Sequence, residues 1–270
     1  MESIRKATEI AALHRDLSNW GRWGERDQLG TLNLVTPAKR TAAAGLVRSG
    51  RAVSCARALD TVPSADNPRP AMHHMIGTAS EGYGADYIAV ASHGYATSHI
   101  DGLCHIFRDG ELYNGYPTAR VTAHGAEELG IQAWRDGIVS RGVLLDVPRA
   151  RGAEWLEPGD AILPDDLERC EAEADVRVEE GDVLLVRTGR WPCRAARGAW
   201  EPHERLAGLQ AACLPWLHER GVAALGCDGV SDVVPSGVDG VRLPIHSVAI
   251  PTCISPPSKN EPTMFTVSVP

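Results

Sequence analysis

Apolar residues along this chain gather in short runs rather than long stripes. The runs at 87–91, 142–147, 182–187 and 222–226 are a few residues each and are bounded by Gly, Pro or Asp. Runs this short and this continuous predict buried strands. Between them, 164–174 and 204–220 carry helical spacing. The second ends at Gly221 and contains Pro215, which predicts a kink or a split. Upstream, residues 2–19 predict an amphipathic helix, and 20–33, rich in Gly, Trp and Asn, predict a loop. Thr36-Pro37 opens an Ala-rich helix: Thr36 can cap it, Pro37 suits the first turn and Gly50 can close it. Residues 60–86 are Pro-, Gly- and Ala-rich and read as a long excursion, a length that usually signals function or mobility. Prolines 251, 256, 257 and 262 argue against a helix across 251–262, poor order is expected through 255–262, and 263–269 could be an edge strand. The alternation of strands and helices predicts an α/β or mixed sheet with helices packed on it.

Composition adds limits. The 270 residues are 43% apolar and 23% charged, enough for a substantial core in one large domain or two small ones. No apolar run approaches a membrane span. A net charge of −8 argues against a general nucleic-acid surface, which needs a basic patch. Seven scattered cysteines without a CxxC pair, behind an N-terminus lacking the apolar core of an export signal, lead us to expect reduced thiols and a cytoplasmic protein.

Candidate chemistry is concentrated between His93 and His105. His99 and Asp101 stand two apart, so in an extended strand they share a face and can bind one divalent ion. His105 follows Gly102, which permits a turn, and can hang beside the ion to take a proton from water. His93 is six residues before His99, about 20 Å away along a straight strand, so a bulge through Tyr95-Ala96 must bring it in. His246 is the best distant partner. On these residues alone, His99 as a satisfied core histidine and Asp101 as a turn residue remain an equal alternative. Asp228 and Ser231 follow the 222–226 strand and read either as site residues or as a turn. Arg190 reads as an exposed arginine, with a substrate carboxylate as the alternative partner. Trp20, Trp23 and His73-His74 are candidate pocket residues against a core reading for tryptophan. Cys104 points away from His105 if the segment is extended.

The stretch Thr97-Ser98-His99-Ile100-Asp101-Gly102-Leu103-Cys104-His105 resembles the signature of the putative cyclase family, which includes bacterial kynurenine formamidase and isatin hydrolase. The likeness runs from about residue 20 to about 250, through Trp23-Gly24, Gly30-Thr31-Leu32-Asn33-Leu34, Phe107-Arg108-Asp109-Gly110 and Gly226-Cys227-Asp228-Gly229-Val230-Ser231. It implies a swivelling β/β/α fold, a mixed sheet or barrel flanked by helices, in a single domain over 1–270 with 1–35 as an N-terminal extension and 251–270 as an atypical tail. It implies His93, His99, Asp101 and His246 as ligands of Zn2+ or Mn2+, with His105 as the catalytic base and acid. Tyr95 occupies the position where the family's first ligand usually stands, so His93 reads as that ligand displaced by two residues, with Tyr95 as fallback. Trp23, Tyr95, Asp228 and Ser231 are expected to bind a small-molecule substrate. The implied reaction is opening of an amide, lactam or lactone, arylformamidase-like, in a homodimer or homotetramer. A biosynthetic cyclase or dehydratase using the same site, or a catalytically impaired metabolite-binding relative, are the alternatives. The second-metal carboxylate of dinuclear relatives has no clear counterpart: position 258 is Ser, and Glu261 is out of context.

Overall fold

The computed structural model describes residues 3–253 and the backbone of Phe265–Ser268. Helices are α1 (Ala7–Asp16), α2 (Pro37–Ala44), α3 (Val147–Ala150), α4 (Pro164–Ala174), α5 (Arg190–Arg197), α6 (Cys213–Arg220) and α7 (Pro244–Thr252). Strands are β1 (Met72–Gly77), β2 (Ala85–Ala89), β3 (His99–Ile100), β4 (Val121–Thr122), β5 (Gly125–Ala126), β6 (Gly142–Asp146), β7 (Ala161–Ile162), β8 (Val183–Arg187), β9 (Gly208–Leu209), β10 (Ala224–Cys227) and β11 (Phe265–Ser268). The central sheet runs β3-β11-β10-β8-β6. β6, β8, β10 and β11 are parallel, and β3 joins antiparallel at the edge. Among the described residues the sheet does not close into a barrel. It is the mixed sheet with flanking helices that the sequence predicted.

The core explains the order. Leu184 and Val186 of β8 sit on one face with Val143 and Leu145 of β6, and Leu167, Leu214, Leu217, Ile245 and Val248 from α4, α6 and α7 pack into the same cluster. β10 is buried along its whole length, as its uninterrupted apolar run requires. Leu103, Leu112, Tyr113 and Leu129 form a second cluster around the segment after β3. That cluster anchors the region from which His105 projects.

Several expectations needed correction. The 87–91 run is an exposed hairpin strand, β2, paired with β1 from inside the 60–86 excursion. The Ala-rich helix stops at Ala44 rather than Gly50. None of its residues is buried, so no packed face extends it beyond propensity. Thr36 does cap it, accepting from the Lys39 amide at 3.1 Å. The 204–220 helix exists only from Cys213. Residues 206–209 are drawn off to pair with 231–234. Pro215 then lies in the first turn, where a missing N–H costs nothing, and no kink results. Pro251 falls in the last turn of α7, so the helix enters the proline-rich stretch by two residues. The C-terminal strand is interior, between β3 and β10, and β3 is the edge. The expectations for 255–262, including Ser258 and Glu261, lie outside the described residues.

Candidate metal centre

The site starts from the edge pairing of β3. His99 stands opposite Ser268, and Ile100 opposite Val267. Alternation places His99 and Asp101 together, with His99 Nε2 3.6 Å from Asp101 Oδ1. The chain then turns. The His105 amide donates to the Gly102 carbonyl at 2.9 Å, and the Cys104 amide donates to Leu129 at 3.2 Å. A Cβ at Gly102 would sit 3.1 Å from the Leu129 carbonyl oxygen, so the close crossing favours glycine. With Leu103 fully buried as an anchor, the turn swings His105 back, placing its Nε2 3.8 Å from the same Asp101 oxygen.

The loop before β3 brings in His93. Its Nδ1 lies 3.1 Å from Asp101 Oδ1, and its ring stacks on His105 with centroids 4.4 Å apart and planes 6° from parallel. The looping-out between His93 and His99 is therefore present. His246, in the first turn of α7, places Nε2 3.7 Å from Asp101 Oδ2. Four imidazoles and one carboxylate from four separate points of the chain meet here. The tightest set is His93, Asp101 and His105, whose donor atoms lie within 4.8 Å of one another.

The chemistry of this donor set suits a divalent cation. Asp101 is 5% exposed, and its Oδ1 accepts no hydrogen bond despite three imidazole nitrogens within 4 Å. A buried carboxylate oxygen without a donor is costly, and a cation among neutral imidazoles removes that cost. Two of the rings are held by hydrogen bonds at Nδ1. His99 Nδ1 bonds the Thr97 carbonyl at 2.9 Å, and His246 Nδ1 bonds Asp232 Oδ2 at 2.5 Å. In each case the proton sits on Nδ1 and Nε2 presents a lone pair to Asp101. Burial alone would push His246 down. The Asp232 hydrogen bond and charge, with Asp101, outweigh it and raise its pKa. His105 is lowered, by burial first, against the opposing pull of Asp101, with His93, His246 and His99 adding to the lowering.

A cavity of about 330 Å³ opens over the cluster, and Tyr95 and Ser231 line it as expected. Trp23 and Asp228 are not on its wall. Trp23 lies at a separate shallow surface with Glu25 and Asp27. The Asp228 carboxylate accepts from the Thr188 amide and hydroxyl and from the Gly189 and Arg190 amides, which secures the start of α5. His73 and His74 lie on the exposed hairpin, where His73 pairs with Asp86. Trp20 bonds the Pro251 carbonyl instead. Arg190 is buried, not exposed, and its Nη2 bonds Asp66 at 2.8 Å. Cys104 is half-buried, and burial raises its thiol pKa, which disfavours the thiolate that a nucleophile needs.

Sequence reasoning missed Asp232 and His203. Asp232 is wholly buried and accepts from the amides of Ile245 and His246 as well as from the His246 ring. Its place in the loop after β10 was the available signal, but Asp228, four residues earlier, fitted that signal equally well.

A family model described as putative cyclase matches residues 23–232. The crystal structure of a novel cyclase is 28% identical, covers 93% of this chain and 86% of its own, and superposes with a TM-score of 0.78. An isatin hydrolase bound to the product analogue thioisatinate is 16% identical, covering 80% of this chain and 78% of its own, with a TM-score of 0.52. Isatin hydrolase A from Ralstonia solanacearum is 17% identical, covering 84% and 82%, with a TM-score of 0.53. At these identities the two hydrolases share the fold. None of the curated proteins matches the sequence.

Proposed function

Because this chain belongs to the putative cyclase family, we propose that it is a metal-dependent hydrolase that opens a small amide, lactam or lactone. The observation that carries the reading is the convergence of four imidazoles on Asp101, whose buried Oδ1 has no hydrogen-bond donor. His93, His99, Asp101 and His246 are the residues that would hold the ion. Zn2+ or Mn2+ there would polarise the scissile carbonyl and acidify a water beside it.

The chain's own residues do the rest. His105 is the proton carrier. Neither it nor His93 has a partner on its second ring nitrogen among the described residues, so its ring is less restrained than His99 or His246. Its lowered pKa keeps it neutral near pH 7, ready to accept a proton at Nε2 and return it to the leaving amine or alkoxide. Tyr95 and Ser231 face the cavity and position the substrate. The thioisatinate complex of the distant isatin hydrolase supports a lactam as one substrate form. Arylformamides are a second. The reading includes a homodimer or homotetramer, supported by the exposed Met75, Ile76 and Ile88 on the hairpin.

A metal-replete screen over N-formyl aryl amines, isatin-like lactams and lactones tests the proposal. Turnover of at least one class, abolished by chelation and restored by Zn2+ or Mn2+, is expected. No turnover in any class with a metal-loaded protein would remove the hydrolase reading.

A further inference from the structure

The cavity wall also carries a cluster whose donors outnumber its acceptors. Tyr95 Oη lies 3.0 Å from His203 Nδ1, and the two rings meet edge-to-face with centroids 5.2 Å apart. Arg242 Nη2 makes a short contact with the same His203 Nδ1. A guanidinium only donates, so His203 Nδ1 accepts and the ring proton sits on Nε2. Arg242 is also hydrogen-bonded to the Tyr95 side chain, so two acceptors, Tyr95 Oη and His203 Nδ1, face more donors than they can satisfy: the Tyr95 hydroxyl and the N–H groups of the Arg242 guanidinium. His203 Nε2–H is a third donor with no acceptor of its own among the described residues. Tyr95 and His203 line the cavity, and Arg242 precedes the lining residue Leu243.

Charge follows the same direction. Arg69 also lines the cavity, and neither Arg69 nor Arg242 pairs with a carboxylate among the described residues. The surroundings hold Arg190 and Arg194, which both pair with Asp66, and Arg194 also reaches Asp60. Asp66, Asp101 and Glu201 also line the cavity, and Glu201 Oε1 accepts from the His203 amide at 3.0 Å. Of the lining carboxylates, Asp66 is held by Arg190 and Arg194 and Asp101 lies among the imidazoles, so Glu201 alone is left opposite Arg69 and the adjacent Arg242. Burial raises the Tyr95 pKa, which keeps its hydroxyl a donor across the neutral range.

We infer that Tyr95, His203 and Arg242 form a subsite for an anionic group of the substrate, a carboxylate in the simplest case, away from the bond that is cut. The inference rests on the hydrolase reading for the word substrate and names that substrate's class: an acyl compound bearing a carboxylate. Two acceptor oxygens would give each surplus donor a partner, and a planar carboxylate suits a guanidinium fork. Arg242 and His203 are exposed, so a carboxylate can enter from solvent.

The test is a titration of the full-length protein with benzoate and with benzamide, its neutral counterpart. Wild type should bind benzoate about 10-fold more tightly than benzamide. Arg242→Gln should erase most of that ratio while leaving benzamide binding unchanged, and Arg242→Lys should restore part of it. A ratio near one in wild type, or a ratio that survives both Arg242→Gln and His203→Gln, would overturn the inference. The readout does not depend on turnover. An intact, Arg242-dependent preference in a protein that hydrolyses nothing would sink the hydrolase reading and leave the anion subsite standing.

Discussion

Asp232 Oδ2 lies 2.5 Å from His246 Nδ1, and the same carboxylate accepts the backbone amides of Ile245 and His246. One buried side chain therefore sets both the start of α7 and the tautomer of the ring that faces Asp101. Replacing Asp232 with Asn keeps its size but leaves its amide O and NH2 to compete for the ring. Affinity for the ion should fall about 10- to 100-fold. Competition with a chromogenic chelator reads that change, and undiminished affinity would show that His246 needs no such support.

Gly208 packs against the backbone of Asp232. A Cβ at 208 would stand 2.5 Å from the carbonyl carbon and oxygen of Asp232, both backbone atoms that cannot rotate away. Gly208→Ala should lower the melting temperature by several degrees and weaken metal binding in parallel, since overpacking costs about 1–3 kcal/mol. A variant with lowered stability and native metal affinity would separate β9 from the site.

His99 and Asp232 mark where the sequence was readable and where it was not. His99 and Asp101 are local: a two-residue spacing in a strand suffices, and the structure joins them at 3.6 Å. Helix Pro164–Ala174 was legible to the residue because proline opens it and its buried face repeats at helical spacing. Asp232, by contrast, acts across 14 residues on α7, and no local pattern distinguishes it from Asp228. The interior position of β11 was equally hidden, because pairing order in a sheet depends on long-range contacts rather than on the strand's own residues. The half of 204–220 that is not helix lost to tertiary pairing with 231–234, which overrides local spacing.

His105 supplies proton transfer in this account, not the principal hold on the ion. His105→Gln should reduce kcat by about 10²- to 10⁴-fold with metal content largely kept. If the variant instead loses the ion in proportion to activity, His105 belongs with the ligands, as its place in the 4.8 Å set would also permit.

His14 gives the fold a pH dependence separate from the site. It is 6% exposed, its Nδ1 has no hydrogen bond, and burial first, then Arg108, lowers its pKa to about 4. The unfolded chain takes up this proton near pH 6.5, whereas the folded chain resists it down to about 4. The stabilisation from keeping His14 neutral is thus complete above 6.5 and is lost as pH falls toward 4. Between pH 7 and pH 5 this one group should cost about 2 kcal/mol of unfolding free energy. Urea unfolding of wild type and His14→Gln at both pH values checks it: the variant should show the smaller difference. Equal differences would remove His14 as a contributor.

The central claim is that Asp101 and its imidazoles hold a divalent ion. Elemental analysis of the protein after reconstitution and gel filtration, beside Asp101→Asn, tests it most directly. About one ion or more per wild-type chain is expected, with a large loss in the variant. Less than about 0.2 ion per wild-type chain, or equal loading of both proteins, would contradict it.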